Sequence, residues 1–175
     1  CVKPGVRREL PKIYMKGAQD LEQIKIISQF RPKPNGIVHV GAHLGQEAKI
    51  YSEGGIDKVL WVEADPRIIP KLKKNVEKFG HSVVEGLCSD SNGEQVIFHL
   101  SSNHGASSSY LEPEEHTKHY PWVKFENEVE LTTVTMDSIL QQRPQFQDAN
   151  YLVLDVQGAE LDVLKGMEKS LGNID

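Results

Sequence analysis

Asn35-Gly36-Ile37-Val38-His39-Val40-Gly41-Ala42-His43-Leu44-Gly45-Gln46-Glu47 is a short β-branched run that breaks into a glycine-bracketed turn and passes at once into a helical pattern. Eighteen residues past Gly45, a second apolar run, Val59-Leu60-Trp61-Val62, ends on an acid, Glu63. Strand, glycine turn, helix, strand and acid is the layout of a nucleoside-binding βαβ unit. The glycines let the backbone come close to a ligand, and an acid at the tip of the second strand accepts hydrogen bonds from ribose hydroxyls. A dinucleotide fingerprint needs glycine at the third and sixth positions counted from Gly41, and those positions hold His43 and Gln46. The spacing is instead Gly-x-x-x-Gly. It suits S-adenosylmethionine (SAM) better than NAD, because no pyrophosphate has to sit on the helix N-terminus.

Working outward, the pattern predicts strand 37–40, helix 45–54, strand 58–63, helix 66–79 and strand 82–86. Asp65-Pro66 reads as a cap followed by proline at the first helical position, and Phe79-Gly80 as the stop. This βαβαβ rhythm implies a parallel sheet with right-handed crossovers. Beyond the turn Asp90-Ser91-Asn92-Gly93, a strand is expected over 95–100, a long polar loop over 101–127, a strand over 128–135 and a short helix over 136–141. Strand 150–155, the turn Val156-Gln157-Gly158 and helix 159–170 form the last unit. Upstream, residues 1–35 read as an extension carrying one helix (Leu21, Ile24, Ile27, Phe30), with the main domain over 36–175. The segment Tyr151-Leu152-Val153-Leu154 is apolar on both faces, so it reads as a central strand. Further chain or a second subunit is expected to cover its edge.

The chain has 175 residues, enough for one domain with a core, and a net charge of −5. Its densest basic cluster, Lys71-Leu72-Lys73-Lys74, lies in a helical pattern and reads as a solvated face, so no nucleic-acid partner is expected. No apolar run reaches the length of a membrane span, and no signal peptide is visible. The first residue is Cys1 rather than methionine, as in a piece of a longer polypeptide. Cys1 and Cys88 do not make a disulfide framework, which points to a reducing, cytoplasmic setting.

Three blocks carry a resemblance: Val38-His39-Val40-Gly41-Ala42-His43-Leu44-Gly45, then Trp61-Val62-Glu63-Ala64-Asp65-Pro66, then Val153-Leu154-Asp155-Val156-Gln157-Gly158-Ala159-Glu160-Leu161-Asp162-Val163-Leu164-Lys165-Gly166. In this order they resemble the FkbM-type SAM-dependent methyltransferases, and the third block is the most specific. The serine-rich run Asn103-His104-Gly105-Ala106-Ser107-Ser108-Ser109 also looks like a segment of that family. The resemblance implies an α/β fold, a doubly wound, Rossmann-like, mostly parallel sheet of the class I methyltransferase type, with its C-terminal strands absent from this sequence. It implies SAM as cofactor and, in most relatives, a hydroxyl of a small molecule or carbohydrate as substrate. His39 departs from the pattern, since class I enzymes usually carry an acid there to orient the methionine end of the cofactor.

The candidate cofactor residues are therefore His39, Gly41, Ala42, His43, Gly45, Glu63, Ala64, Leu87, Cys88, Asp155 and Gln157. Substrate contacts are expected from Ser107, Ser108, Gln157 and Glu160, and the base from Asp155 or His104. Structural readings compete at each position. Gly41 and Gly45 could serve turn geometry alone, Asp155 could cap the last helix, and Glu160 suits a helix dipole as well as a ligand. No metal is expected: His39, His43 and Glu47 straddle strand, turn and helix, and nothing completes a set with His116 and His119. Gly105-Ala106-Ser107-Ser108-Ser109 lacks the closing glycine of a hydrolase elbow. Two other classes stay open, a non-catalytic SAM-binding module and, against the glycine spacing, a nucleotide-dependent oxidoreductase.

Overall fold

The computed structural model describes residues 34–102, 105, 107–111 and 125–174. The helix expected over 21–30, with the rest of the extension before residue 34, lies outside them, as does His104. The apolar runs become four parallel strands, β1 (Ile37–Val40), β2 (Val59–Glu63), β3 (Ser82–Glu85) and, later in the chain, β7 (Tyr151–Leu154). Their order is β3-β2-β1-β7. In register, Ile37 lies beside both Val59 and Tyr151, and Val40 beside both Val62 and Leu154. The chain thus builds outward from β1 to β3 and then returns to β1's other side. That reversal leaves a crevice at the carboxyl ends of β1 and β7.

Both faces of this sheet are covered, which is why its strands read as continuous apolar runs rather than alternating ones. On one face Val38, Val40, Leu60 and Val62 pack with Met136, Ile139, Leu140, Val163 and Met167. On the other, Ile37, Val59 and Trp61 pack with Ala48, Tyr51, Leu72 and Val76. Leu72 and Val163 are fully enclosed. Burying side chains of this size contributes about 1.5–3 kcal/mol each. Among the described residues β7 is an edge of the sheet, and its four residues are only half-buried.

Three of the four described helices are shorter than the periodicity predicts, and the one expected over 136–141 keeps its bounds. The first, α1 (Ala48–Glu53), starts three residues late because Gly45 sits at φ 66 and cannot be its first turn. The second, α2 (Ile69–Glu77), starts after a turn in which Asp65 C=O accepts from Ile68 N–H at 3.0 Å. Pro66 thus lies in that turn and not at the first helical position. Gly86 then interrupts the extended chain, and β4 (Leu87–Cys88) leaves the parallel sheet. It pairs with β6 (Phe125–Val134), which is antiparallel to β5 (Gln95–Ser101). Residues 125–127, expected as loop, are therefore strand. Thr135 caps α3 (Met136–Gln141), its Oγ1 accepting from Ser138 N–H at 3.2 Å. The last helix, α4 (Glu160–Lys165), stops at Gly166, where any Cβ would come 2.2 Å from the Ser89 carbonyl oxygen. The expected span 159–170 thus ends early, with a 3-10 turn at Leu171–Asn173 behind it.

Candidate active site

At the carboxyl ends of β1, β2 and β7 lies a cavity of about 250 Å³. Its floor is the glycine turn. Gly41 adopts φ 80, and a Cβ there would sit 2.0 Å from the Asp155 carbonyl oxygen. The glycine therefore lets β1 and β7 close together as well as facing the cavity, which it does with Ala42 and His43. Gly45 has a different task. It faces Leu72 and Val76 of α2, 2.9 and 2.6 Å from where its Cβ would be, and does not line the cavity.

Glu63 ends β2 at the cavity wall, almost fully buried. Its Oε2 accepts from His43 N–H at 2.7 Å, and its Oε1 from Ala64 and Asp65 N–H, both at 2.8 Å. Burial pushes its carboxyl above the ordinary range, the three backbone donors oppose that, and the charge of Asp65 adds to it. Oε1 is saturated by two donors, while Oε2 keeps a lone pair for a ligand. The carboxylate thus holds the glycine turn to β2 and still presents an acceptor to the cavity. Ala64 lines the wall beside it.

Leu87 and Cys88 of β4 supply an apolar wall with Phe98 of β5. Cys88 is a packing residue there. Burial pushes its thiol up to about 12, and Sγ lies 3.3 Å from Met136 Sδ. Opposite, Asp155 follows β7 with an exposed carboxylate whose Oδ1 accepts from Gln157 Nε2 at 2.8 Å. Both residues line the cavity. The cap of α4 is not Asp155. No side chain caps the helix; Glu160 Oε1 instead accepts from Val156 and Gly158 N–H at 3.1 and 3.3 Å, bracing the turn before α4, and does not reach the cavity.

The serine-rich segment reaches the cavity through backbone pairing: His99 and Ser109 exchange N–H···O bonds of 2.8 and 3.2 Å along β5. Ser108 lines the cavity, and its Oγ donates to Asp65 Oδ2 at 3.3 Å. Ser107 is buried behind it, its N–H on Ser101 Oγ, and is not in the wall. The anchor of this segment is Asp65, 1% exposed, which accepts from Arg67 Nη2 at 2.6 Å.

Sequence reasoning missed Tyr110, Ser109, Gly105, Phe98, Gln46 and Glu47, all of which line the cavity. Tyr110 carried a readable signal, an aromatic closing a serine run. Its hydroxyl donates to Asp162 Oδ2 at 2.6 Å, and burial together with that bond pushes it up to about 12. Another sign is strain. The non-glycine residues at positive φ among those described are His43 (φ 45) and Gln157 (φ 54), and both face the cavity. Such backbone costs about 1–3 kcal/mol and persists where its surroundings hold it.

A sequence model of the Methyltransferase FkbM domain matches residues 39–175. Among curated proteins, the 2-O-methyltransferase NoeI of Sinorhizobium fredii (strain NBRC 101917 / NGR234) is 26% identical over 173 residues, spanning 94% of this chain and 70% of that protein. No solved structure matches the chain. The family match takes in every strand that builds the cavity except the first two residues of β1, and the chain belongs to the FkbM methyltransferase family.

Proposed function

We propose that this methyltransferase uses SAM and transfers its methyl group to a hydroxyl oxygen of a small molecule or sugar, on a sheet of the doubly wound type. The observation that carries the reading is the meeting of Glu63 and Asp155 in one cavity whose described lining holds no Lys or Arg. Such a lining accepts a ribose and tolerates a cationic ligand. Bound SAM would supply a methyl group activated on a sulfonium. Glu63 Oε2 would take a ribose hydroxyl, the Gly41 turn would pass beneath the ligand, and Leu87 would pack on the base. The chain's own task is then to align an acceptor oxygen and exclude water, which is worth up to about 7–11 kcal/mol.

Asp155 is the base in this reading. Its carboxylate is exposed at the cavity rim and bound to Gln157 rather than to a helix terminus. A base within hydrogen-bond reach of the attacking hydroxyl contributes about 10²–10⁴-fold. Ser108, Ser109 and Tyr110 bring hydroxyls to the same rim and suit a polyhydroxyl substrate. The name of the relative, a 2-O-methyltransferase, supports oxygen as the acceptor. A cytoplasmic setting belongs to the same proposal, with the free, buried thiol of Cys88 in its support.

The test is calorimetry with S-adenosylhomocysteine, followed by incubation of methyl-labelled SAM with a panel of glycosides. Saturable binding and a labelled methyl ether are expected. Absence of binding overturns the cofactor assignment, and label on nitrogen or carbon overturns the oxygen assignment. Binding without transfer to any hydroxyl would favour a SAM-binding module.

A further inference from the structure

His39 stands in the middle of β1 and is 5% exposed, yet it lines the cavity. Trp61 stacks on its ring at a centroid distance of 4.7 Å and fixes the ring plane. Its Nδ1 lies 3.1 Å from the hydroxyl of Tyr51, a buried residue of α1. Among the described residues this is the hydrogen bond of both groups. The Nε2 atom has no hydrogen-bond partner among them, and His39 is one of the residues that line the cavity.

The tautomer follows from what each arrangement leaves unmade. If Nδ1–H donated to Tyr51, the buried O–H of Tyr51 would have no acceptor. If Tyr51 O–H donates to Nδ1, every buried hydrogen is bonded and only a spare oxygen lone pair is left. A buried unmade donor costs about 1–3 kcal/mol, and an under-used acceptor lone pair is the more tolerable defect. The proton of the ring therefore sits on Nε2. Burial also holds the imidazole down to about 4, so at neutral pH it carries one proton and no charge. Burial raises the Tyr51 hydroxyl as well, so it keeps its hydrogen.

We propose that Tyr51 is a positioning residue that locks His39 as a neutral Nε2–H donor into the cavity, and that this donor selects an anionic oxygen of the ligand, the carboxylate at its amino-acid end. The inference rests on the SAM reading above. A carboxylate entering this cavity finds no Lys or Arg among the described lining residues and must be met by neutral donors. The acids Glu47, Glu63 and Asp155 face the same space and suit hydroxyls and cationic groups. An acid at position 39 would repel the carboxylate and draw the ammonium, so the histidine reverses the polarity of this contact.

Two measurements on the intact chain test this. The first is ¹⁵N imidazole NMR without ligand. A protonated Nε2 and an unprotonated Nδ1 are expected for His39, with Y51F shifting the ring toward a mixed state. The opposite tautomer, or an unchanged tautomer in Y51F, overturns the lock. The second is calorimetry with S-adenosylhomocysteine and its decarboxylated analogue. Y51F and H39F should weaken the former by roughly five- to tenfold, H39Q should recover part of the loss, and the analogue should bind wild type and variants alike. Equal losses for both ligands overturn the carboxylate assignment. Should H39F fail to fold, the Y51F results decide alone. Failure of wild type to bind either compound would sink the SAM reading, whereas the NMR result would still judge the tautomer.

Discussion

Gly41 shows how a single residue can serve fold and site together. The Gly-x-x-x-Gly spacing points to ligand approach, but the structure adds a backbone neighbour, the Asp155 carbonyl, 2.0 Å from any Cβ at Gly41. Gly41→Ala combines that clash with an unfavourable φ, so it should lower stability by about 2–4 kcal/mol. Urea denaturation monitored by circular dichroism checks this, and an unchanged midpoint would show that β1 and β7 separate freely. Glu63 has a double role of a different kind. Glu63→Ala strips the acceptor from His43, Ala64 and Asp65 N–H groups. It should weaken S-adenosylhomocysteine by about 1.5–3 kcal/mol and lower stability at the same time. Calorimetry and denaturation on the same samples would separate the two, and a variant that kept both values would remove Glu63 from the site and from the turn.

At the scale of elements, the junction of β7 with α4 divides its work between two acids. Glu160 braces the turn before the helix by accepting from Val156 and Gly158 N–H, and Asp155 faces the cavity with Gln157 alone, among the described residues, on its carboxylate. Asp155→Asn should therefore leave the melting temperature nearly unchanged and cut turnover at least about a hundredfold, with little change in cofactor affinity. Glu160→Ala, which strips the acceptor from two N–H groups of the turn, should do the reverse in kind, lowering stability by about 1 kcal/mol. Stopped assays at saturating cofactor, beside thermal melts, distinguish the two patterns. An Asp155→Asn enzyme with full turnover would move the base elsewhere. The β5 edge and Asp65 form a second junction, since Ser109 pairs with His99 while Ser108 and Arg67 both donate to Asp65. That pairing makes the serine segment a wall of the cavity rather than a free loop.

For the whole molecule, the buried imidazoles set a dependence of stability on pH. His39 falls from 6.5 to about 4 on folding, so between those values the unfolded chain binds the extra proton. Stability therefore rises with pH through that window. The contribution of His39 is complete above about pH 6.5 and is lost on acidification toward pH 4, a span of roughly 3 kcal/mol. His81 shifts in the same direction, chiefly through burial. Glu63, raised on folding, has the opposite sign, losing stability as pH rises above its ordinary value. Urea midpoints at pH 7 and pH 4.5 should differ less in His39→Gln than in wild type. An identical pH slope in the two proteins would mean that His39 is not held neutral by the fold.

The sequence by itself determined the parallel βαβ unit, the family and most of the cavity floor. Those features depend on short-range spacing: Gly41 after β1, Glu63 at the end of β2 and Asp155 at the end of β7 each close a short, mostly apolar, β-rich run. The same local code erred at element ends, where tertiary contacts decide. Gly45, packed against Leu72 and Val76, takes φ 66 and keeps the first helix from its full periodic length, and Gly166, packed against Ser89, marks where the last one ends. Only the tertiary structure separated Asp155 from Glu160, since both lie near a helix start and only the hydrogen bonds tell which one braces the turn and which one faces the cavity. It alone brought Tyr110 and Phe98 to the cavity, through cross-strand pairing of β5 that no local pattern encodes. The protonation of His39 is likewise a property of packing. It depends on a hydroxyl twelve residues away, on α1, and on the loss of water around both groups.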